Sequence, residues 1–253
     1  MTKIAVVIPV KNAGSTLKRS LDSVLNQTAL NQHSVELLLI LVYNGCNDNS
    51  KEIGKQFCIE SSLKQFNGSF EPVEITLPDN VNGIVPALNR GLNEAIKWNA
   101  EYIARQDADD YWHSTKLEKQ LDFFRKNPDV DVLGTQINLI EISNKKTLVT
   151  TSNNPLINHA MRTAMLNGHN PIAHPSVMFK TDMLLKTGTY DNLFPMAEDY
   201  WLWMKAMKQG CKLSNLPDIL VDYTSTHNPN YTPLSPQLAC HTMKQILDVL
   251  KGK

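Results

Sequence analysis

The stretch "IAVVIPVKNAGSTLKRSLDSVLNQT", residues 4–28, decides the fold. Its first seven residues form a continuous, β-branched apolar run, as expected of a strand covered on both faces. After a polar turn, Leu17, Leu21, Val24 and Leu25 fall at helical spacing, with Ser15 or Thr16 available as N-cap. The same grammar then repeats. "VELLLILVY" (35–43) is a second strand, and "NGCNDNSKEIGKQF" turns into a second helix. "EPVEITL" (71–77) is a third strand. "GIVPALNRGLNEAIKWN" is a third helix, with Leu88, Leu92, Ala95 and Ile96 on one face, and "AEYIARQ" (100–106) is a fourth strand. Strand–helix alternation of this kind implies a mostly parallel sheet covered by helices, an architecture suited to nucleotide binding.

Beyond residue 110 the pattern changes. "STKLEKQLDFFRKNPD" is an amphipathic helix with a Thr115–Glu118 capping box and a stop at Asn127-Pro128. "DVDVLGTQINLIEI" and "KKTLVTTS" read as an antiparallel hairpin. "HPSVMFK" is a further strand starting at His174, and "EDYWLWMKAMKQG" is a helix closed by Gly210. The Asn-rich stretch 152–171, broken by Pro and Gly, reads as a loop able to act as a lid.

The bulk numbers exclude several classes. Lys+Arg and Asp+Glu balance at 25 each, so no global field steers the chain toward nucleic acid. Cys46, Cys58, Cys211 and Cys240 are scattered, which predicts reduced thiols, not a disulfide or zinc framework. The apolar start is interrupted by Pro9, too soon for a signal peptide or membrane span, so the expectation is a cytoplasmic protein with at most peripheral membrane contact.

Chemistry concentrates in "ARQDADDYW" (104–112), directly after the fourth strand. In an extended segment side chains at i and i+2 point the same way, so Asp107 and Asp109 converge at the carboxyl end of the strand, where open α/β sheets bind ligands. Two carboxylates a few Å apart repel by about 4 kcal/mol at an effective dielectric near 20. A hard divalent cation such as Mg²⁺ or Mn²⁺ removes that repulsion. Helix capping accounts for Asp110 alone, since one helix start accommodates one N-cap side chain. No basic residue follows immediately, so the compensating charge is expected to arrive with the ion.

Taken together, "VVIPVKNAGSTLKRSLDSVLNQT", "PALNRGLNEAIKWNAEYIARQDADDYW", "HPSVMFK" and "AEDYWLWMKAMKQG" resemble family 2 glycosyltransferases of the GT-A fold, in particular bacterial enzymes that extend lipopolysaccharide or capsular sugar chains. The resemblance runs from about residue 3 to 230. It implies a GT-A, Rossmann-like α/β sheet, mostly parallel, with a smaller antiparallel acceptor-side portion. One domain would cover 1–230, split into a nucleotide-sugar half (1–110) and an acceptor half (111–230). A linker and C-terminal amphipathic helix would occupy 231–253.

The same resemblance implies inverting, Mn²⁺- or Mg²⁺-dependent transfer of a sugar from a nucleotide diphosphate sugar, UDP foremost, to a hydroxyl of a saccharide or lipid-linked saccharide. Asp109 matches the metal-ligating acid, and Asp107 the acid reaching the ribose or metal. Asp199, at the start of the "EDYWLWMKAM" helix, matches the catalytic base, although an acidic pair at a helix N-terminus also satisfies the helix dipole. His227 matches a third metal ligand or a diphosphate contact. Pro9 and Asn12 match the first nucleotide loop, and Asn89, in a matching helix motif, is expected with Tyr43, Asp107 and Asp109 among the nucleotide-sugar-binding residues.

The chain departs from the family at Tyr43-Asn44, where two acids normally precede the glycine. Tyr43 could stack on a base but cannot accept two N–H bonds as a carboxylate does. A second departure is Thr224, where the family often has Arg. Arg105 lies within the fourth strand run and could face a diphosphate, although alternation turns it away from the side of Gln106. Trp112, Trp201 and Trp203 fit core positions, and His174 a hydrogen-bonded structural role. Two other readings stay open: a sugar nucleotidyltransferase, disfavoured by the single glycine in "PVKNAGSTLKRS", and a non-catalytic nucleotide-sugar-binding member of the fold.

Overall fold

The computed structural model describes residues 1–32, 35–143, 146–194 and 197–226, together with Lys244, Gln245 and Asp248. His227 and the expected C-terminal helix therefore lie outside the described residues. In chain order the elements are β1 (Thr2–Val10), α1 (Leu17–Leu25), α2 (Ala29–Gln32), β2 (Val35–Tyr43), α3 (Ser50–Ser62), β3 (Ser69–Thr76), α4 (Ile84–Lys97) and β4 (Tyr102–Arg105). There follow β5 (Tyr111–Trp112), α5 (Lys116–Lys126), β6 (Val132–Ser143), β7 (Lys146–Thr151), α6 (Asn158–Leu166), β8 (Met178–Lys180), α7 (Asp182–Thr187), α8 (Glu198–Lys208) and β9 (Leu213–Thr226).

One mixed sheet joins all nine strands in the order β3-β2-β1-β4-β8-β6-β9-β5, with β7 on β6. The first four strands are parallel neighbours, as the repeated strand–helix pattern requires. The second part is mixed: β8 runs antiparallel to β4 and β6, whereas β6 and β9 are parallel. Alternation along β1 divides the interior. Ile4, Val6, Ile8 and Val10 pack toward α1, α3 and α5. Ala5 and Val7 face the layer built by α4 and α8. Each fully buried aliphatic side chain contributes about 1.5–3 kcal/mol, so covering both faces fixes the order of the parallel strands.

Three local expectations change. The Thr115 half of the capping box does not form: among the described residues the Thr115 side chain makes no cap hydrogen bond. The Leu117 N–H donates instead to Gln27 Oε1 (2.9 Å), and Glu118 accepts from Thr28 Oγ1 (2.6 Å). The orphan N–H of a helix start needs an acceptor of any origin, and here the chain after α1 supplies it. Thr16 likewise makes no side-chain cap bond among the described residues, turning back to the Ala13 carbonyl. His174 starts a 3-10 turn (His174–Ser176), and strand pairing begins only at Met178. Pro175 lacks the N–H that a ladder would use.

Among the described residues no helix is long and apolar enough to cross a membrane.

Candidate active site

The carboxyl ends of β1, β2 and β4 lie side by side in the sheet, and the loops leaving them build the site. Asp107, Asp109 and Asp110 follow β4, each offering an oxygen within 4.8 Å of the others'. Asp107 and Asp109 are partly exposed, whereas Asp110 is fully buried. Burial and the adjacent Asp107 charge push the Asp109 carboxyl up to about 6. The same two causes raise Asp110 well above the ordinary carboxylate range.

Asp110 is not a helix cap. Its Oδ1 accepts the Thr224 backbone N–H of β9 (2.8 Å), while its buried Oδ2 has no hydrogen-bond partner among the described residues. A buried anionic oxygen without a donor is costly. That oxygen, with its two neighbouring carboxylates, makes a hard all-oxygen donor set that fits Mg²⁺ or Mn²⁺.

Part of the compensating charge lies in the chain after all. Arg105, 5% exposed, forms an ion pair with Asp107 through Nη1. Burial works against the guanidinium charge, but the Asp107 carboxylate more than offsets it and holds the pKa above its usual value. Asp107 stands two positions on in an extended run, so the two side chains share a side.

α1 holds the acidic loop from below. Ser20 Oγ donates to the Asp107 carbonyl (2.8 Å), and Ser23 Oγ accepts the Trp112 N–H (3.1 Å). Gln106, fully buried, donates to the Asp110 carbonyl and to Ser20 Oγ. Arg19 Nη2 donates to the Asp109 carbonyl (2.9 Å) and to Thr224 Oγ1 (3.0 Å). None of these partners is announced by a motif in the sequence. The one signal in the chain is the pair Ser20 and Ser23, small polar residues on an otherwise apolar helix face.

Pro9, Val10, Lys11, Asn44, Gly83 and Ile84 line a cleft of about 140 Å³ at the ends of β1 and β2. Asn12, at φ 50°, uses Oδ1 to accept the Asn47 N–H (2.9 Å) and ties the two loops beside it. Asp48 closes the turn before α3, accepting from the Ser50 and Gly14 N–H groups. Tyr43 does not face the cleft, which corrects the stacking expectation. It shares its strand face with Leu37, Leu39 and Leu41, is 2% exposed, and donates to Glu74 Oε1 (2.6 Å). Gly54 makes room for its phenol; a Cβ there would come within 1.8 Å of the hydroxyl. Asn44 is the residue at the cleft, with Nδ2 donating to the Gly83 carbonyl (2.7 Å).

Asp199 opens α8. Its Oδ1 accepts the Tyr200 N–H and its Oδ2 accepts from Asn170 Nδ2, both at 2.7 Å. Burial raises its pKa, and these two donors and Arg105 oppose the shift. Asn170, in the loop before the 3-10 turn, was not singled out from sequence. His174 Nε2 meets the Tyr190 hydroxyl at 2.8 Å, and burial together with Arg105 pushes the imidazole well below its usual pKa. Asn89 is not turned to the cleft as expected. Its Nδ2 donates to the Tyr190 carbonyl and its Oδ1 accepts the Tyr190 N–H, at 2.9 and 3.0 Å. Trp112, Trp201 and Trp203 are all buried. A larger groove, about 620 Å³, opens at the opposite end of β4, between Asn99 and Thr189, and holds none of these residues.

The family model described as glycosyl transferase family 2 matches residues 5–186. An Escherichia coli UDP-Gal:alpha-D-GlcNAc-diphosphoundecaprenol beta-1,3-galactosyltransferase is 32% identical over 59% of this chain and 51% of its own length. Staphylococcus aureus TarS 1–349, solved with UDP-GlcNAc, superposes with a TM-score of 0.72 at 18% identity, covering 97% of this chain and 65% of that one. The Pyrobaculum calidifontis mannosyltransferase PcManGT, solved with GDP-Man and Mn²⁺, gives 0.63 at 17% identity over 89% of this chain and 57% of that one. The chain thus spans between about half and two thirds of the length of these proteins.

Proposed function

The chain belongs to glycosyl transferase family 2, and from that membership we propose that it moves a sugar from a nucleoside diphosphate sugar to a saccharide hydroxyl with inversion. The carrying observation is the cluster of Asp107, Asp109 and Asp110 at the sheet's carboxyl edge, with a second carboxylate centre, Asp199, at the start of α8. The cluster would hold a divalent cation, which when bound supplies Lewis-acid stabilisation of the diphosphate. The cleft at Pro9 and Asn44 takes the base. UDP is favoured as carrier by the names of the E. coli and S. aureus relatives.

Asp199 accepts the acceptor hydroxyl's proton as its oxygen bonds the anomeric carbon, and the carbon–oxygen bond to the diphosphate breaks with its electron pair leaving on the diphosphate. Asn170 and the Tyr200 N–H fix the carboxylate's orientation. Its raised pKa makes it a stronger base than an exposed aspartate. The acceptor is proposed as a lipid-linked or surface-polysaccharide saccharide, as the name of the E. coli relative suggests.

Asp109→Ala and Asp199→Ala are each expected to lower transfer by at least about 100-fold, the usual size of a lost acid–base or electrostatic contribution. Only the former should weaken Mn²⁺-dependent binding of UDP in titration calorimetry. Retained transfer in Asp199→Ala removes it as the base. No UDP or GDP binding by the unaltered chain at millimolar ligand would favour a non-catalytic member of the fold.

A further inference from the structure

α1 buries Leu17, Leu21, Val24 and Leu25 and turns Ser20 and Ser23 to the acidic loop, leaving Arg19 on its exposed flank. The guanidinium is nevertheless fixed in place. Both of its hydrogen bonds among the described residues come from Nη2, to the Asp109 carbonyl and to Thr224 Oγ1. Thr224 is itself anchored, because its N–H donates to Asp110 Oδ1. Both acceptors of Arg19 are neutral, so its charge reaches the Asp109 carboxylate only through space and forms no ion pair of the kind Arg105 makes with Asp107. Nε and Nη1 remain as donors on a solvent-facing side chain at the rim of three carboxylates. A neutral donor would satisfy the same two oxygens, but only a cation also offsets the Asp109 charge and stays attractive to a further anion.

We propose that Arg19 is the diphosphate-binding cation of this site, held by Asp109 and Thr224 through Nη2 and taking phosphate oxygens with Nε and Nη1. The inference rests on the glycosyltransferase reading for the identity of the diphosphate. It also accounts for Thr224, where an arginine was expected. The guanidinium comes from α1, 205 residues earlier, and lands on the threonine. Arg105 cannot substitute, being buried and committed to Asp107.

The test titrates UDP, uridine and inorganic pyrophosphate, each with Mn²⁺, into the unaltered chain, Arg19→Ala, Arg19→Lys and the double variant Arg19→Ala/Thr224→Arg. Arg19→Ala should weaken UDP and pyrophosphate by about 10- to 100-fold, the worth of a charged hydrogen bond or two, and leave uridine unchanged. Arg19→Lys should fall between, keeping charge without the planar fork. Thr224→Arg should restore most of the loss, since it returns a guanidinium to the same rim. An Arg19→Ala variant that binds UDP normally overturns the proposal. So does one that loses uridine and UDP equally, because that outcome marks a strut for the loop. Arg19-dependent pyrophosphate binding without nucleotide binding upholds the proposal while removing the proposed function; absence of all binding by the unaltered chain removes both.

Discussion

Asp110 is fully buried, yet only one of its two carboxylate oxygens has a partner among the described residues. Burial and the charges of Asp107 and Asp109 raise its folded-state pKa. A carboxyl whose folded pKa lies above its unfolded value contributes stability at low pH and loses it as pH rises through the folded pKa. Asp110→Asn keeps the Oδ1 acceptor for the Thr224 N–H and replaces the lone anionic oxygen with a donor facing two carboxylates. The expected result is a gain on the order of 1–3 kcal/mol for the metal-free protein at pH 7.5, or about 2–4 °C in Tm per kcal/mol. The gain should shrink toward pH 4, and Mn²⁺ should stabilise the variant less than the unaltered chain. A melting temperature lowered at pH 7.5 would contradict this account. The acids themselves were legible in the sequence, because three carboxylates after a strand have few structural uses. Their partners were not: Arg19 and Thr224 are neighbours only through the folded sheet, and Tyr43's orientation depends on the space left by Gly54.

At the scale of elements, the parallel half was legible because each strand and helix carries its own periodicity. The helix stops at Asn127 and Gly210 were legible too, but the N-terminal caps were not, since the start of α5 is served by Gln27 and no local motif encodes a partner 90 residues away. Close contacts between layers are similarly hidden. Gly91 in α4 sits so near β1 that a Cβ would lie 2.4 Å from Val7 Cγ1. Alanine in a helix is favoured over glycine by about 1 kcal/mol, and an exposed site would gain that amount. Here overpacking costs about 1–3 kcal/mol, and Val7 cannot turn aside easily because β-branched side chains are stiff at χ1. The clash wins, so Gly91→Ala should lower the urea midpoint. Val7→Ala/Gly91→Ala should be more stable than the sum of the two single losses, as expected for groups in contact. Additive losses would show that α4 shifts as a body instead.

At the scale of the whole molecule, the acidic loop follows β4 whereas Asp199 sits in the first turn of α8, so the proposed transfer requires the helix to be held in register with the sheet. Asn89 contributes to that register from α4. Its amide closes both backbone groups of Tyr190, whose hydroxyl meets His174. His174 in turn packs edge-on against Trp203 of α8, the helix that Asp199 opens. The chain of contacts therefore runs from α4 to α8, the helix that carries Asp199, by hydrogen bonds first and then packing. Asn89→Ala leaves a buried N–H and C=O of Tyr190 unpaired, at a cost of about 1–3 kcal/mol each. Its expected signature is a lower Tm and a fall in kcat of tenfold or more, since a displacement of 1 Å at a reacting group can cost about 100-fold. UDP affinity should stay within about threefold, because a change below about 0.7 kcal/mol is all that a distant strut transmits. Nucleotide affinity falling in step with kcat would instead return Asn89 to the donor site, where the motif alone had put it. Calorimetry with UDP and Mn²⁺, run beside transfer rates on the same variant, separates the two.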